Sequence, residues 1–354
     1  MRFNYIYIIA IFISLLATTV CFAGNKDRIG QAGATELLIN PWARSSGFNG
    51  MNTSSITGAE AIRINVAGLS KGSQNTEFLF ARSIYLEGSE IGLNAAGFSQ
   101  KVGSGTFGVS LMSVSLGEID VTTVEQPEGT GTVYRPQFFN MGIAYSQAFT
   151  NSINGGLTLR VINEKIDNLG ATGLAIDAGI QYVTGPQDNV HFGITLRNVG
   201  TPMRFSGDGL KFKGESPNGE FVQTIQESSE KFELPSHLSI GFAYDFYLDD
   251  SEEMASRHRL TALANFTSHS FSNDQIGAGL EYGFRERFMF RVGYNYQDGL
   301  TNADERVTVH TGLAGGFTFE VPVQVDGPKI GIDYSYRPSY EFNGTHTMGI
   351  RVTL

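Results

Sequence analysis

The feature that most constrains this chain is a period of two. It recurs in segments of about ten residues from about Asn75 to the carboxyl end. Leu238, Ile240, Phe242, Tyr244 and Phe246 fall on one parity, and Ser239, Gly241, Ala243 and Asp245 on the other. Ile330, Ile332, Tyr334 and Tyr336 alternate in the same way with Gly331, Asp333, Ser335 and Arg337, as do Met348, Ile350, Val352 and Leu354 with Thr347, Gly349, Arg351 and Thr353. Such alternation puts successive side chains on opposite faces of an extended strand, whereas a helical face repeats near 3.6. The pattern predicts fourteen strands, near 76–86, 90–101, 105–115, 138–149, 153–164, 172–184, 189–199, 235–247, 257–269, 274–284, 286–297, 307–319, 328–338 and 345–354. Their lengths suit tilted strands that cross an outer membrane, and their number is even, as a bacterial single-chain barrel requires. After residue 75 there is no strong amphipathic helical pattern.

Alternation alone does not say whether the apolar face meets a core or lipid. Three features favour lipid. Aromatic side chains gather near strand ends (Tyr182, Tyr244, Phe246, Phe288, Tyr294, Tyr296, Phe317, Phe319 and Tyr336), as interfacial girdles do. The polar face is rich in glycine and carries Arg160, Asp177, Arg197, Asp245, Glu281, Arg291, Asp333, Arg337 and Arg351, nearly balanced in charge. If the first strand rises from the periplasm, the longest connections, 116–137 and 200–234, fall outside. The tight turns near 102–104, 150–152, 185–188 and 285 then fall inside. Connections 249–256 and 320–327 are long for the inner side, and 87–89 is short for the outer. The reading is therefore all-β, a transmembrane antiparallel β-barrel of about 14 strands over 76–354. A secreted soluble β protein is the alternative.

Composition agrees. Charged residues make up 17% of the chain, and 43 of its 354 residues are glycine without the period of three of collagen. Twenty-five Lys and Arg against 35 Asp and Glu leave no basic excess for phosphates, so no nucleic-acid partner is expected. Residues 1–23 read as a signal peptide, with Arg2 as the basic region, Ile8 to Leu16 as the apolar region and Cys21-Phe22-Ala23 before Gly24. A retained anchor helix is the alternative, and Val20 before Cys21 disfavours a lipoprotein. Cleavage after Ala23 leaves 331 residues, no cysteine and a net charge of −11. With no disulfide or thiol chemistry available, the expected location is the outer membrane of a Gram-negative bacterium.

Residues 24–75 do not alternate. They hold a Gly/Ala-rich start, Leu37, Leu38 and Ile39, then Asn40-Pro41-Trp42-Ala43-Arg44, a Gly-containing turn at 45–50, and Asn65-Val66-Ala67-Gly68-Leu69. Over Ala34–Asn52 and Asn65–Leu69 the chain resembles the PorV/PorQ family of outer-membrane proteins, relatives of the FadL fatty-acid transporters. It departs from that pattern at Val66, where Pro is usual, and at 45–50, where a Met-Gly-Gly turn is common. The resemblance implies a FadL-like barrel whose amino-terminal segment is folded into the lumen as a hatch carrying Leu37, Leu38, Pro41, Trp42, Arg44, Asn65 and Gly68. A barrel this wide would otherwise hold water, and Leu37, Leu38, Ile39, Trp42 and Phe48 need cover. A periplasmic docking tail is the alternative for this segment.

The resemblance further implies a non-catalytic component of the type IX protein secretion system of Bacteroidota, a shuttle or attachment-complex barrel. Its partners would be the translocon or attachment-complex proteins and the carboxyl-terminal signal domains of secreted cargo, besides outer-membrane lipid. The docking surface would be Asp120, Glu125, Glu128, Tyr134, Arg135, Phe205, Asp208, Phe212, Glu215 and Phe221 in the outer loops, which could equally be plain solvated cover. The alternative function is FadL-like transport of hydrophobic small molecules. Against it, the inward positions Ile162, Ala175, Ala243 and Ala314 offer few apolar side chains for a path. The inward charges read as a network that stiffens a plugged barrel or, alternatively, as a polar conduit.

Motifs of catalysis and metal binding lack their context. Gly103-Ser104-Gly105-Thr106-Phe107-Gly108 spells a phosphate-loop pattern but lies between two strands, with no helix to follow. The six histidines show no ligand spacing, and the acidic run 249–253 lacks the glycine of a calcium loop. No cofactor, metal or enzymatic activity is expected.

Overall fold

A computed structural model describes residues 24, 26–72, 75–215, 221–249, 257–323 and 327–354. The signal peptide expected over 1–23 lies outside the described residues, as does most of the acidic run, 250–253.

Fourteen long strands form one antiparallel sheet: β1 (Thr76–Tyr85), β2 (Ile91–Val102), β3 (Gly105–Ser115), β4 (Gln137–Ala148), β5 (Ile153–Ile166), β6 (Leu169–Thr184), β7 (Val190–Gly200), β8 (His237–Tyr247), β9 (His258–His269), β10 (Gln275–Phe284), β11 (Phe288–Gln297), β12 (Leu313–Pro322), β13 (Lys329–Arg337) and β14 (Thr345–Thr353). Each pairs with its neighbour in sequence. The sheet closes where β1 meets β14, from Glu77 opposite Thr353 to Ile84 opposite His346. Closure leaves no edge, which is the condition for a sheet to cross a bilayer.

The two parities separate cleanly. Phe80 (56% exposed), Ile194 (51%), Ile240 (46%), Phe317 (43%) and Ile350 (53%) face outward, while Thr195, Ser239, Thr318 and Arg351 are buried inside. A soluble barrel would do the reverse. Exposed aliphatic rows around a closed sheet are a lipid face. Aromatic pairs gird the end that carries the short turns: Phe107–Tyr145, Tyr182–Phe192, Tyr244–Phe246 and Phe288–Phe319. The chain is therefore an outer-membrane β-barrel, with its longest connections, 116–136 and 201–236, at the outer end.

Most strand limits lie within a few residues of the alternation. The twelfth does not: it runs Leu313–Pro322, not 307–319. Residues 307–312 alternate but belong to a loop folded into the barrel mouth. His310 bridges Ser339, and Gly312, at φ +85°, accepts the Asn295 amide (2.8 Å) and the Asn49 side chain (2.6 Å) through its carbonyl. β6 starts three residues early because a two-residue turn, with Asp167 at φ +48°, joins it tightly to β5.

Residues 26–72 occupy the lumen as short 3₁₀ turns, Thr35–Leu38, Ala59–Arg63 and Val66–Lys71, and one helical turn, α1 (Ala43–Ser46). A charge on the lipid face separates this architecture from a soluble one. Ile194→Arg, midway along β7 and flanked by Ile180 and Ile240, is expected to destabilise the barrel by about 2–4 kcal/mol in phospholipid vesicles, read from urea titrations.

Candidate functional site

The hatch touches the wall at backbone distance, and the wall glycines allow it. A Cβ on Gly179 would stand 2.0 Å from Asn65 Oδ1, one on Gly193 2.5 Å from the Thr53 carbonyl oxygen, and one on Gly277 2.0 Å from Met51 Sδ. Gly279 against Phe48 (3.0 Å) and Gly316 against Gly47 (3.3 Å) are tight but less so, and Gly97 meets Trp42 at ordinary contact distance (3.4 Å). Of the residues expected to hold the hatch, Leu37 and Trp42 are fully buried. Asn65 caps the Val66–Lys71 turn through the Ala67 amide (3.2 Å) and donates to the carbonyls of Thr53 (2.9 Å) and Ile180 (3.1 Å), joining three segments. Gly68 cannot carry a side chain, because a Cβ would stand 2.1 Å from the Ile56 carbonyl oxygen. From the wall, Gln181 donates to the carbonyls of Thr53 (3.1 Å) and Ile56 (3.0 Å). Pro41 is buried and Arg44 half-buried. Leu38 differs from expectation. It is 42% exposed and faces a cavity instead of finding cover.

The inward charges form two groups. Arg160 pairs with Asp177, both buried, and Asp177 also accepts the Asn198 amide (2.7 Å). Asn198, at φ +58°, sits in a bulge where the β6–β7 register slips by one residue. A ladder runs across the lower half of the opposite wall. Arg259 on β9 links Asp245, Glu281 (2.7 Å) and Glu286 (2.7 Å); Arg291 joins Glu281 to Thr318; and Thr318 donates to Asp333. His191 meets Asp245 (2.9 Å), and Arg351 meets Glu320 (3.0 Å). Arg337 stands apart and donates to Asn49 of the hatch (2.8 Å). Arg197 lines the cavity. Arg259 and Glu320 were not among the residues singled out from sequence. Arg259 shares the parity of Thr261 within the expected strand, and Glu320 lies one residue beyond an expected strand end, so phase counting finds the first inside its strand and the second by carrying the phase one step further.

Above the hatch lies a cavity of about 750 Å³ at the outer mouth. Its floor is the hatch, which brings Ile29, Leu38, Ile39 and Ile64 together with Thr35, Glu36, Asn40 and Asn49. Ile91, Val114, Leu116 and Phe138, from the β2–β4 side, form an apolar wall. Arg197, His237, Thr267, His269, Gln275 and Gln297, from β7–β11, form the opposite one, and Val307, Val309 and His310 close the rim. The amino-terminal strand bridge Ala32–Glu233 and the Arg28–Glu233 ion pair (2.8 Å), with Arg28 stacked on Phe271 (4.1 Å), tie the hatch to the outer loops.

The outer-loop residues divide. Asp120, Glu125, Glu128, Asp208, Phe212, Glu215 and Phe221 are exposed. Arg135 is exposed but held by Glu118, and Tyr134 is half-buried in a short pairing with Ile119. Phe205 turns inward, meets Phe232 in a tilted ring contact (5.7 Å) and packs on the cluster of Leu37, Met203 and Leu234, so it is part of the plug and not of an outer surface.

No known protein family and no curated protein matches the chain. Among solved structures it is similar to a deletion mutant of the monoaromatic hydrocarbon channel TodX, at 15% identity over 88% of this chain and 97% of that one, with a TM-score of 0.55. It is also similar to the monoaromatic hydrocarbon channel CymD (12%, 89% and 97%, 0.52) and to the Ralstonia pickettii toluene transporter TbuX (11%, 89% and 97%, 0.50). These likenesses show the fold alone, a closed 14-stranded FadL-like barrel. They carry no trace of the secretion family suggested by the amino-terminal motif.

The hatch also buries a carboxyl group with no hydrogen-bond donor. Both oxygens of Glu60 lack a partner, with Arg44, Arg351, Arg291 and Asp333 in its surroundings. Burial, opposed in part by Arg44, pushes the group up from the usual 4.5 to about 7. The folded state thus favours the neutral form. The cost of ionising it is absent below 4.5 and complete above about 7. Urea titrations of Glu60→Gln and the parent are expected to coincide near pH 4 and to separate by about 3 kcal/mol in favour of the variant above pH 7.

Proposed function

We propose that this barrel admits hydrophobic small molecules through the outer membrane, with the cavity above the hatch as its first binding site. The observation that carries this reading is the cavity itself. Its volume is within the range of small-molecule sites, it lies at the outer mouth, and the apolar β2–β4 wall meets the hatch side chains Ile29, Leu38, Ile39 and Ile64 across it. An exposed Leu38 on the floor is costly in an empty, wet vestibule and favourable under an apolar ligand. The named activities of TodX, CymD and TbuX as hydrocarbon channels or transporters support the same reading. None of these proteins is named as an enzyme, and a non-catalytic role fits the site.

A second reading keeps the type IX secretion role. It is favoured by the outer hairpin of Lys211–Glu215 and Val222–Gln226, which presents Phe212, Phe221 and Val222 to solvent. Cargo signal domains or translocon proteins would then dock there.

The transport reading is tested with the barrel in lipid nanodiscs and radiolabelled naphthalene in equilibrium dialysis, against empty discs. Saturable binding near one molecule per barrel is expected, and Leu38→Lys is expected to weaken it about tenfold. Absence of saturable binding would overturn the reading.

A further inference from the structure

The strand residues that line the outer cavity are segregated by polarity, whereas the hatch and loops bring both kinds, with Thr35, Glu36 and Asn40 in the floor and Phe271 and Leu300 beside the polar strands. Going round the barrel, β2 to β4 contribute Ile91, Val114, Leu116 and Phe138, whereas β7 to β11 contribute Arg197, His237, Thr267, His269, Gln275 and Gln297. The polar side is an arc across five adjacent strands and not a single point. It is also unbalanced in hydrogen bonding. Asn295 donates to Gln275 Oε1 (2.9 Å) and Gln275 donates to Gln297 Oε1 (2.9 Å), which leaves Gln297 Nε2 at the end of the ladder without an acceptor. Gln297 is only 4% exposed. Arg197 Nε and His269 Nε2, on the same arc, are buried without a partner as well.

Two of these three atoms can only donate, since an arginine Nε–H and an amide NH₂ have no acceptor capacity. A plain hydrocarbon that filled the cavity would leave them unpaired in a dry site, which is unfavourable. A head-and-tail amphiphile would satisfy one point of the arc and lay its chain across the rest. We infer that the cavity selects facially amphipathic molecules, with a hydrocarbon body against the β2–β4 wall and acceptor oxygens spread along the edge that faces Arg197, His269 and Gln297. This rests on the transport reading and narrows it to a substrate class.

The test uses three probes on the full barrel in nanodiscs, all below their micelle concentrations. Cholate carries its hydroxyls on one steroid face, lithocholate has the same ring body with a single ring hydroxyl, and decanoate is a head-and-tail amphiphile. Cholate is expected to bind about tenfold tighter than lithocholate and tighter still than decanoate. Gln297→Leu and His269→Phe should each weaken cholate binding far more than lithocholate binding, and so erase most of the preference for cholate. Leu116→Gln, on the opposite wall, should weaken both steroids alike. Heat-modifiable migration on gels confirms that each variant has folded. Lithocholate binding as tightly as cholate, or a preference unchanged in Gln297→Leu and His269→Phe, would overturn the inference and leave the transport reading intact. Failure of all three probes together with naphthalene would remove both.

Discussion

A wide closed barrel has an interior that must be filled, and here the filling is backbone against backbone. The hatch brings carbonyls, amides and short side chains to a wall whose glycines leave no Cβ in the way. Gly179 with Asn65, Gly277 with Met51 and Gly193 with Thr53 are the closest of these approaches. Part of the high glycine content follows from that contact, and much of the rest lies in turns at positive φ. In an isolated strand a glycine is a loss of order and packing, but in a lumen wall it is the space into which another segment fits. Once the hatch is close, Asn65 and Gln181 donate to the hatch carbonyls of Thr53 and Ile56, which lie outside any strand ladder.

The same fit sets the division of labour along the axis. The ladder from Asp245 through Arg259, Glu281 and Arg291 to Asp333 lies in the half of the barrel nearer the short turns, where its members partner one another. The Arg160–Asp177 pair fixes the opposite wall beside the bulge at Asn198. Charge is thereby consumed beneath and beside the hatch. The outer half keeps a cavity with one apolar wall, one donor-rich wall and a floor supplied by the hatch. Glu60, buried without a donor above the ladder, is a cost the hatch carries within this arrangement.

The barrel was legible because alternation is a local property. Each strand states its own two faces, and membrane exposure then follows from which face is apolar. What escaped was non-local. Residues 307–312 alternate as a strand does, yet they pack into the mouth, because Gly312 turns the chain back toward Asn295 and Asn49. Arg259 and Glu320 carry the right parity but sit near strand ends, which alternation marks poorly. Leu38 and Phe205 looked like cover-seeking and surface residues respectively. Their roles are exchanged, since one opens on the cavity and the other packs into the plug. The scarcity of apolar inward positions counted against a hydrophobic site when only strands were considered. The outer ends of β2–β4, with Ile91, Val114 and Phe138, supply an apolar wall, and the hatch and the mouth loop add to it.

The central claim is that residues 26–72 seal the lumen through these close contacts. Conductance in planar bilayers tests it most directly. The intact protein is expected to give no steady open current, and a variant lacking 26–72, refolded to a heat-modifiable barrel, is expected to conduct like a wide water-filled pore. A steady, large conductance from the intact protein, or identical traces from the two, would contradict the account.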